Sequence, residues 1–90
     1  MRIKKIAIEF DTEEKINKKH GVYRKEIEDA LFEGLSIFYR TKDDRYVAIA
    51  SKERYITVIF LYQKKVATII TAYPSSDWQI KLFKKKKSKK

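Results

Sequence analysis

The 90-residue sequence contains no cysteine, one histidine, two glycines and one proline. Without cysteine the chain can form neither a disulfide nor a zinc–thiolate site, and one histidine excludes a histidine-rich metal site. Carboxylates remain as ligands for Mg²⁺. Because glycine and proline are scarce, collagen-like, linker-rich and wholly disordered chains are also excluded. We expect a domain that folds on its hydrophobic residues, without a metal or cofactor.

Long apolar runs are missing as well, so the sequence predicts no transmembrane segment. Residues 1–5 are basic like the start of a signal peptide, but only Ile6, Ala7 and Ile8 precede Glu9. That stretch is too short for the apolar region of a signal peptide. We therefore expect a soluble, cytoplasmic protein. With 43% hydrophobic residues, the chain has the size and composition of one domain.

Acidic residues are scarce in the second half of the chain. Residues 1–39 hold eight basic and eight acidic residues, whereas residues 40–90 hold 14 basic and four acidic ones and so carry the whole net charge of +10. Seven of those 14 lie in the last ten residues. Such an excess favours a polyanionic partner, which could be RNA, DNA, an acidic protein or an anionic membrane surface. The simpler interpretation is that the basic residues serve solubility and that the lysines at the end of the chain are solvated.

The pattern of the first half predicts one strand and two helices. Ile6, Ile8 and Phe10 would share one face, with Glu9 on the other, and indicate a strand within residues 3–10. Asp11 and Glu14 have the spacing of a capping box and predict a helix over about 12–20. A second helix is expected over about 24–33. Gly21 and Gly34 follow these helices, where glycine commonly ends them.

After Gly34 the hydrophobic period changes to two. Strands are predicted over 36–40, 45–50, 54–62 and 66–73, and a final helix is predicted to start near Ser76, with Trp78 and Leu82 docking it. Residues 84–90 have no apolar member and are expected to form a basic, mobile tail after a single domain of residues 1–83. The order β-α-α-β-β-β-β-α predicts an α+β, two-layer domain, with a mainly antiparallel sheet of four to five strands and two helices on one face.

Most catalytic motifs are absent, including a glycine-rich phosphate loop, a nucleophile elbow and a Cys–His pair. His20 at a helix end and the Asp43-Asp44 turn are both interpreted as structural. Basic residues and tyrosines remain at the strand ends. Such residues can bind an RNA backbone, stack a base and cleave RNA without metal, because the substrate's own 2′-hydroxyl is the nucleophile. The alternative is a set of solvent-facing charges at strand ends.

Several short strings resemble the BrnT-type toxins of the RelE/ParE superfamily. They are Lys19-His20-Gly21-Val22, the helix over 25–31, the strand over 44–50 that opens on Arg45, and the strands over 54–60 and 66–73. The resemblance covers about residues 6–83. It implies a RelE-like fold, with a curved antiparallel sheet and two helices packed on it. It also implies a small ribonuclease that is neutralised by an antitoxin encoded beside it.

The resemblance also selects site residues. Arg45 and Arg54 match arginines of the family, whereas Thr68 and Tyr73 stand where the family usually has arginine. Superfamily ribonucleases often use a tyrosine or histidine near the carboxyl end, so Tyr73 is a candidate replacement. We therefore assign catalysis to Arg45, Arg54 and Tyr73. Further RNA contacts are assigned to the residues Lys52, Tyr55 and Lys81.

Two alternatives use the same scaffold, a nucleic-acid-binding module without catalysis and a protein-interaction domain. The spacing of the two arginines bears on this choice. Each begins one strand of the same predicted hairpin, so a tight antiparallel hairpin would place Arg45 and Arg54 at opposite ends of the sheet. They would then contact different nucleotides rather than one phosphate.

Overall fold

The computed structural model describes residues 2–88 and contains the eight elements predicted, in the predicted order. The strands and helices are β1 Lys5–Ala7, α1 Phe10–His20, α2 Arg24–Phe32, β2 Leu35–Arg40, β3 Tyr46–Ser51, β4 Tyr55–Gln63, β5 Val66–Pro74 and α3 Asp77–Ser88. The protein is therefore of the α+β class. No helix within residues 2–88 has the length and apolar character needed to cross a membrane.

All five strands form one mixed sheet in the order β1-β5-β4-β3-β2. The strands β2 to β5 are joined by hairpins and pair antiparallel, whereas β1 pairs parallel to β5 over only three residues. The prediction of a mainly antiparallel sheet with up to five strands is confirmed. Strand β1 is shorter than the range of residues 3–10 in which it is predicted, and its parallel pairing with β5 has no local sequence signature.

The central strand β4 is covered on both faces. Ile56, Val58 and Phe60 are fully buried on one face, in a cluster with Ile16 of α1 and Ile27 of α2. Side chains of a strand alternate between the two faces of the sheet. This alternation places Thr57, which is also fully buried, on the opposite face. Apolar residues on both faces of the segment 54–62 are typical of a central strand, and β4 occupies the middle of the sheet.

Helix α1 begins earlier than its capping box predicts. Strand β1 ends at Ala7, and the chain enters the helix at Phe10 with Glu9 as a cap that makes no side-chain hydrogen bond. The prediction that Asp11 caps the helix is thus wrong. Asp11 lies instead in the first turn, where its charge complements the helix dipole. The carboxyl end agrees with the prediction, since Gly21 has a φ of 64° and its N–H donates to the oxygen of Asn17.

Gly34 ends α2 where the chain passes close to strand β3. A Cβ atom at this position would lie 2.6 Å from the main-chain oxygen of Ser51 and 2.8 Å from that of Ala30. Its N–H donates to the oxygens of Asp29 and Ala30. Only glycine fits this junction without a shift of the backbone.

Helix α3 packs mainly against β2 and β3, and its buried anchors are Gln79 and Phe83. Of the two residues predicted to dock the helix, Leu82 is half-buried whereas Trp78 is 60% exposed, so Trp78 is not a buried anchor. At the predicted helix start, Gln79 Oε1 accepts from the N–H of Ser76 at 2.8 Å, which is one of the two hydrogen bonds of a capping box. Residues 84–88 of the predicted tail continue α3, and Lys89 and Lys90 lie outside the described residues. The mobility of this segment stays a prediction.

Candidate functional site

Arg45 and Arg54 lie at opposite ends of the β3–β4 hairpin, as their spacing predicts. The strands pair from Tyr46 with Phe60 to Ser51 with Tyr55. Arg45 precedes the first of these pairs, and its exposed side chain forms no ion pair with a described residue. The two guanidinium groups therefore cannot converge on one phosphate.

The guanidinium of Arg54 is held on the helix side of the sheet. Its Nε donates to Glu26 Oε2 at 2.5 Å and its Nη2 donates to Glu26 Oε1 at 2.8 Å. Nη2 also donates to the main-chain oxygen of Gly21 at 2.9 Å. The hydrogen bond from Arg54, followed by its positive charge, lowers the pKa of Glu26, while partial burial opposes this shift. Arg54 thus joins the β3–β4 turn to the α1–α2 junction.

Lys52 lies in the same turn and is paired with Glu33, the residue that follows α2. This hydrogen bond lowers the pKa of Glu33 and raises that of Lys52. Arg54 and Lys52 border a groove of about 630 Å³ that Glu26, Asp29 and Glu53 also line. The carboxylates offset the basic groups, so this groove offers little net attraction for a phosphate.

Tyr73 lies near the end of β5, within a polar network on the face that α3 covers. Its hydroxyl accepts a hydrogen bond from Gln79 Nε2 at 3.0 Å. Gln79 Oε1 in turn accepts from Thr57 Oγ1 at 3.0 Å, and Thr57 Oγ1 lies 2.7 Å from Ser75 Oγ. Gln79 is only 3% exposed, so this network fixes the phenol of Tyr73 on a rigid support.

Tyr39 of β2 belongs to the same face. Burial raises the pKa of its phenol, and interaction with Tyr73 adds to the increase. Two other sequence candidates lie nearby without joining the network. The ring of Tyr55 packs edge-to-face against Phe83, with centroids 5.3 Å apart, and Lys81 is exposed on α3. The role of Tyr55 at the RNA stays a prediction.

Part of this sheet face is left uncovered beyond α3. Leu61 of β4 is 46% exposed and pairs with the exposed Thr68 of β5. Together with Gln63, Lys64 and Val66 they line a groove of about 390 Å³. The position where the family usually carries arginine therefore holds a hydroxyl on an open surface.

Sequence reasoning missed the place of His20 beside Tyr73. The centroids of the two rings are 5.9 Å apart, with a tilt of 54° between their planes. Strand β1 pairs with β5 only as far as Thr68, and α1 packs against β5, so the last residue of the helix reaches the tyrosine. The string Lys19-His20-Gly21-Val22 is the sequence feature that points to His20, although its position at a helix end favours a structural role. Within residues 2–88, no group of three or more His, Asp or Glu residues is placed to hold a metal.

Among solved structures, this chain is similar to the crystal structure of the Brucella abortus ribonuclease toxin BrnT. The TM-score is 0.65 at 24% sequence identity, and the similarity covers 81% of this chain and 97% of the toxin chain. No family model and no curated protein matches the sequence. The resemblance to BrnT-type toxins is therefore confirmed at the level of the fold.

Proposed function

We propose that this protein is a ribonuclease toxin of the BrnT type that cleaves RNA without a metal and is neutralised by an antitoxin. The observation that carries the proposal is the fold, which is shared with a ribonuclease toxin over nearly the whole toxin chain. The net charge of +10 supports an RNA substrate, because a polyanion binds to a basic surface with a large electrostatic gain.

The proposed reaction needs only an RNA chain and groups that move protons. The 2′-oxygen forms a bond to phosphorus while the bond from phosphorus to the 5′-oxygen breaks. The proton of the 2′-hydroxyl goes to a base, and the 5′-oxygen takes a proton from an acid. The products are a 2′,3′-cyclic phosphate and a 5′-hydroxyl. The protein must hold the nucleophile in line and stabilise the charge on the phosphorane.

Tyr73 is the proposed acid. Its hydroxyl accepts from Gln79, which leaves its own proton free for donation to the 5′-oxygen. Arg45 is proposed to bind a different phosphate, toward the opposite end of the sheet, and the exposed Lys81 to contact the backbone near α3. Arg54 and Lys52, which are engaged by carboxylates, are proposed to support the fold rather than to bind RNA.

The test is cleavage of a labelled RNA in the presence of EDTA, with product ends analysed for 2′,3′-cyclic phosphate. Tyr73→Phe keeps the ring and removes the acid, so the rate should fall by about 10²–10⁴-fold. Tyr62→Phe is the matched control, because the Tyr62 hydroxyl bonds to the main-chain oxygen of Arg2 at 2.5 Å, away from Tyr73. Equal rates for wild type and Tyr73→Phe would remove Tyr73 from the mechanism.

A second candidate function is RNA binding without cleavage. The separation of the two arginines and the presence of Thr68 favour it, because fewer cations then surround Tyr73 than in the family pattern. In this case the purified protein would bind RNA with an affinity that falls steeply with salt, and no cyclic phosphate would appear. A protein-interaction domain would neither bind RNA in this salt-dependent way nor produce a cyclic phosphate.

Neutralisation by an antitoxin is the partner hypothesis. Phe32 at the end of α2 is 48% exposed and Leu35 at the start of the edge strand β2 is 63% exposed, so both offer apolar surface to a partner. Expression of the protein alone should arrest growth, and co-expression of a small protein from the adjacent reading frame should restore it. Expression of Tyr73→Phe should leave growth unchanged. Arrest by Tyr73→Phe equal to that by wild type would show toxicity without this chemistry.

A further inference from the structure

A cleft of about 250 Å³ lies between α1 and β5. Strand β5 extends to Pro74, but β1 covers its edge only as far as Thr68, so α1 is the neighbour of the remaining segment. The cleft is lined by Thr12, Lys15, Ile16, Lys19, His20, Ile70 and Thr71. It is separate from the larger groove beside Arg54.

The cleft carries basic groups without acidic ones. Lys15 and Lys19 are four residues apart on α1, so they project from the same side of the helix as Thr12. Both lysines are exposed, and neither forms an ion pair with a residue in the range 2–88. No carboxylate lines the cleft, whereas three line the groove beside Arg54. The charged side chains that line the cleft are therefore all basic.

His20 connects this cleft to Tyr73. The imidazole lines the cleft, and its ring centroid lies 5.9 Å from that of Tyr73. Thr71 also lines the cleft and is two residues before Tyr73 on the same strand. A phosphate between the two lysines would thus lie beside His20, whose ring contacts that of Tyr73, although Tyr73 itself does not line the cleft.

We propose that this cleft binds the phosphodiester group that is cleaved, an inference that rests on the proposed ribonuclease function. The ammonium groups of Lys15 and Lys19 bind the non-bridging oxygens and stabilise their added charge as the phosphorane forms. The imidazole of His20 accepts the proton of the 2′-hydroxyl, and Tyr73 gives its proton to the departing 5′-oxygen. Proton exchange with water then restores both groups. The cations of the site thus come from α1 in the amino-terminal half.

Arg54 contributes to this site through the main chain. Its bond to the oxygen of Gly21 and its pair with Glu26 fix the end of α1 against the start of α2. His20 is the last residue of α1 and directly precedes Gly21. Arg54 therefore holds the main chain at the residue that follows His20.

The binding test uses a single-stranded RNA with a 2′-deoxy sugar at the cleavage position, which cannot be cleaved there. Affinities are measured over a range of salt for Lys15→Gln, Lys19→Gln and the matched control Lys18→Gln. Lys18 is exposed on the same helix and does not line the cleft. Each cleft variant should bind about tenfold more weakly and lower the salt slope by about 0.7, the value for one phosphate contact on a single strand. Lys18→Gln should stay within about twofold of wild type.

The catalytic test compares His20→Gln with wild type. Its cleavage rate should fall by about 10²-fold or more, while its affinity for the deoxy RNA stays within about twofold. If both cleft lysine variants behave like Lys18→Gln, the cleft is not the phosphate site, even when wild type cleaves RNA. If wild type binds but never cleaves, the proposed function fails, and the lysine comparison still decides where the phosphate binds. No RNA binding by wild type would overturn both.

Discussion

Arg54 and Gly21 are joined by a hydrogen bond of 2.9 Å from the guanidinium Nη2 to the main-chain oxygen. This bond links the turn between β3 and β4 to the junction between the first two helices. The resemblance to the toxin family gave Arg54 a role at the RNA. The structure instead shows the guanidinium bound to the protein's own carbonyl and carboxylate groups. The donors of Arg54 are thus directed to the protein itself, and its role at the RNA stays a prediction.

Removing this arginine should reduce stability. Arg54→Ala loses the paired hydrogen bonds to Glu26 and the bond to Gly21, and we expect a loss of about 1–2 kcal/mol in the free energy of unfolding, limited by the partial solvent exposure of the pair. Urea denaturation measures it. Arg45→Ala is the control, since Arg45 is exposed and unpaired among the described residues, and it should change stability by less than about 0.5 kcal/mol. Equal losses of stability in Arg54→Ala and Arg45→Ala would contradict the structural role of Arg54.

The same ion pair should make stability depend on pH. Because Arg54 lowers the pKa of Glu26 below its ordinary value of 4.5, the charged carboxylate favours the folded state. This contribution is fully present above pH 4.5 and is lost as the pH falls through the folded-state pKa. The stability gap between wild type and Glu26→Gln should therefore narrow below pH 4.5. A gap that is constant from pH 7 to pH 3 would show that the charge of Glu26 is not what stabilises the fold.

The two glycines should respond differently to alanine. At Gly34 a Cβ would lie 2.6 Å from a backbone oxygen of β3, so Gly34→Ala forces two elements apart and should cost about 2–3 kcal/mol. At Gly21 nothing lies within 4 Å of the added atom, and only the φ of 64° opposes alanine. Gly21→Ala should cost about 1 kcal/mol. Thermal denaturation of both variants checks this order, and a reversed order would contradict the close contact at Gly34.

The turn between β4 and β5 should accept a stabilising change. Lys64 and Lys65 form a two-residue turn in which both φ angles are positive, 52° and 65°. Asparagine adopts this conformation at less cost than lysine. Lys64→Asn should raise the free energy of unfolding by up to about 1 kcal/mol. Lys42→Asn removes the same charge from a turn residue without positive φ and should have little effect. A loss of stability in Lys64→Asn would indicate a role for the lysine itself.

The order and type of the eight elements could be predicted because each longer element has a clear period. The run of residues 54–62 showed apolar residues on both faces, which is typical of a central strand, and β4 occupies that place. Bounds at α1 were less accurate. Asp11 has the chemistry of a cap, but the early end of β1 brings the helix start forward to Phe10. At this position the capping preference of Asp11 is overridden by the point at which β1 ends and the chain enters the helix.

The candidate site was only partly accessible from sequence. The predicted antiparallel hairpin correctly placed Arg45 and Arg54 at opposite ends of the sheet, because the pairing of two adjacent strands follows from their order in the chain. The contact of His20 with Tyr73 depends on α1 packing along an edge of β5 that β1 leaves free, which no local pattern encodes. The capture of Arg54 by Glu26 likewise depends on how α2 lies over the sheet. Long-range packing thus decides which of the many basic residues remain available to bind a phosphate.

The pairing of β1 with β5 has a consequence for how the chain folds. Strands β2 to β5 can assemble through successive local hairpins, but β1 and α1 come from the start of the chain and have their partner strand near its end. Closing such a long loop is slow compared with hairpin formation. During synthesis the first helix emerges long before β5. The apolar side of this helix therefore stays uncovered until the last strand has been made. We expect α1 and β1 to join late, after the antiparallel hairpins have formed.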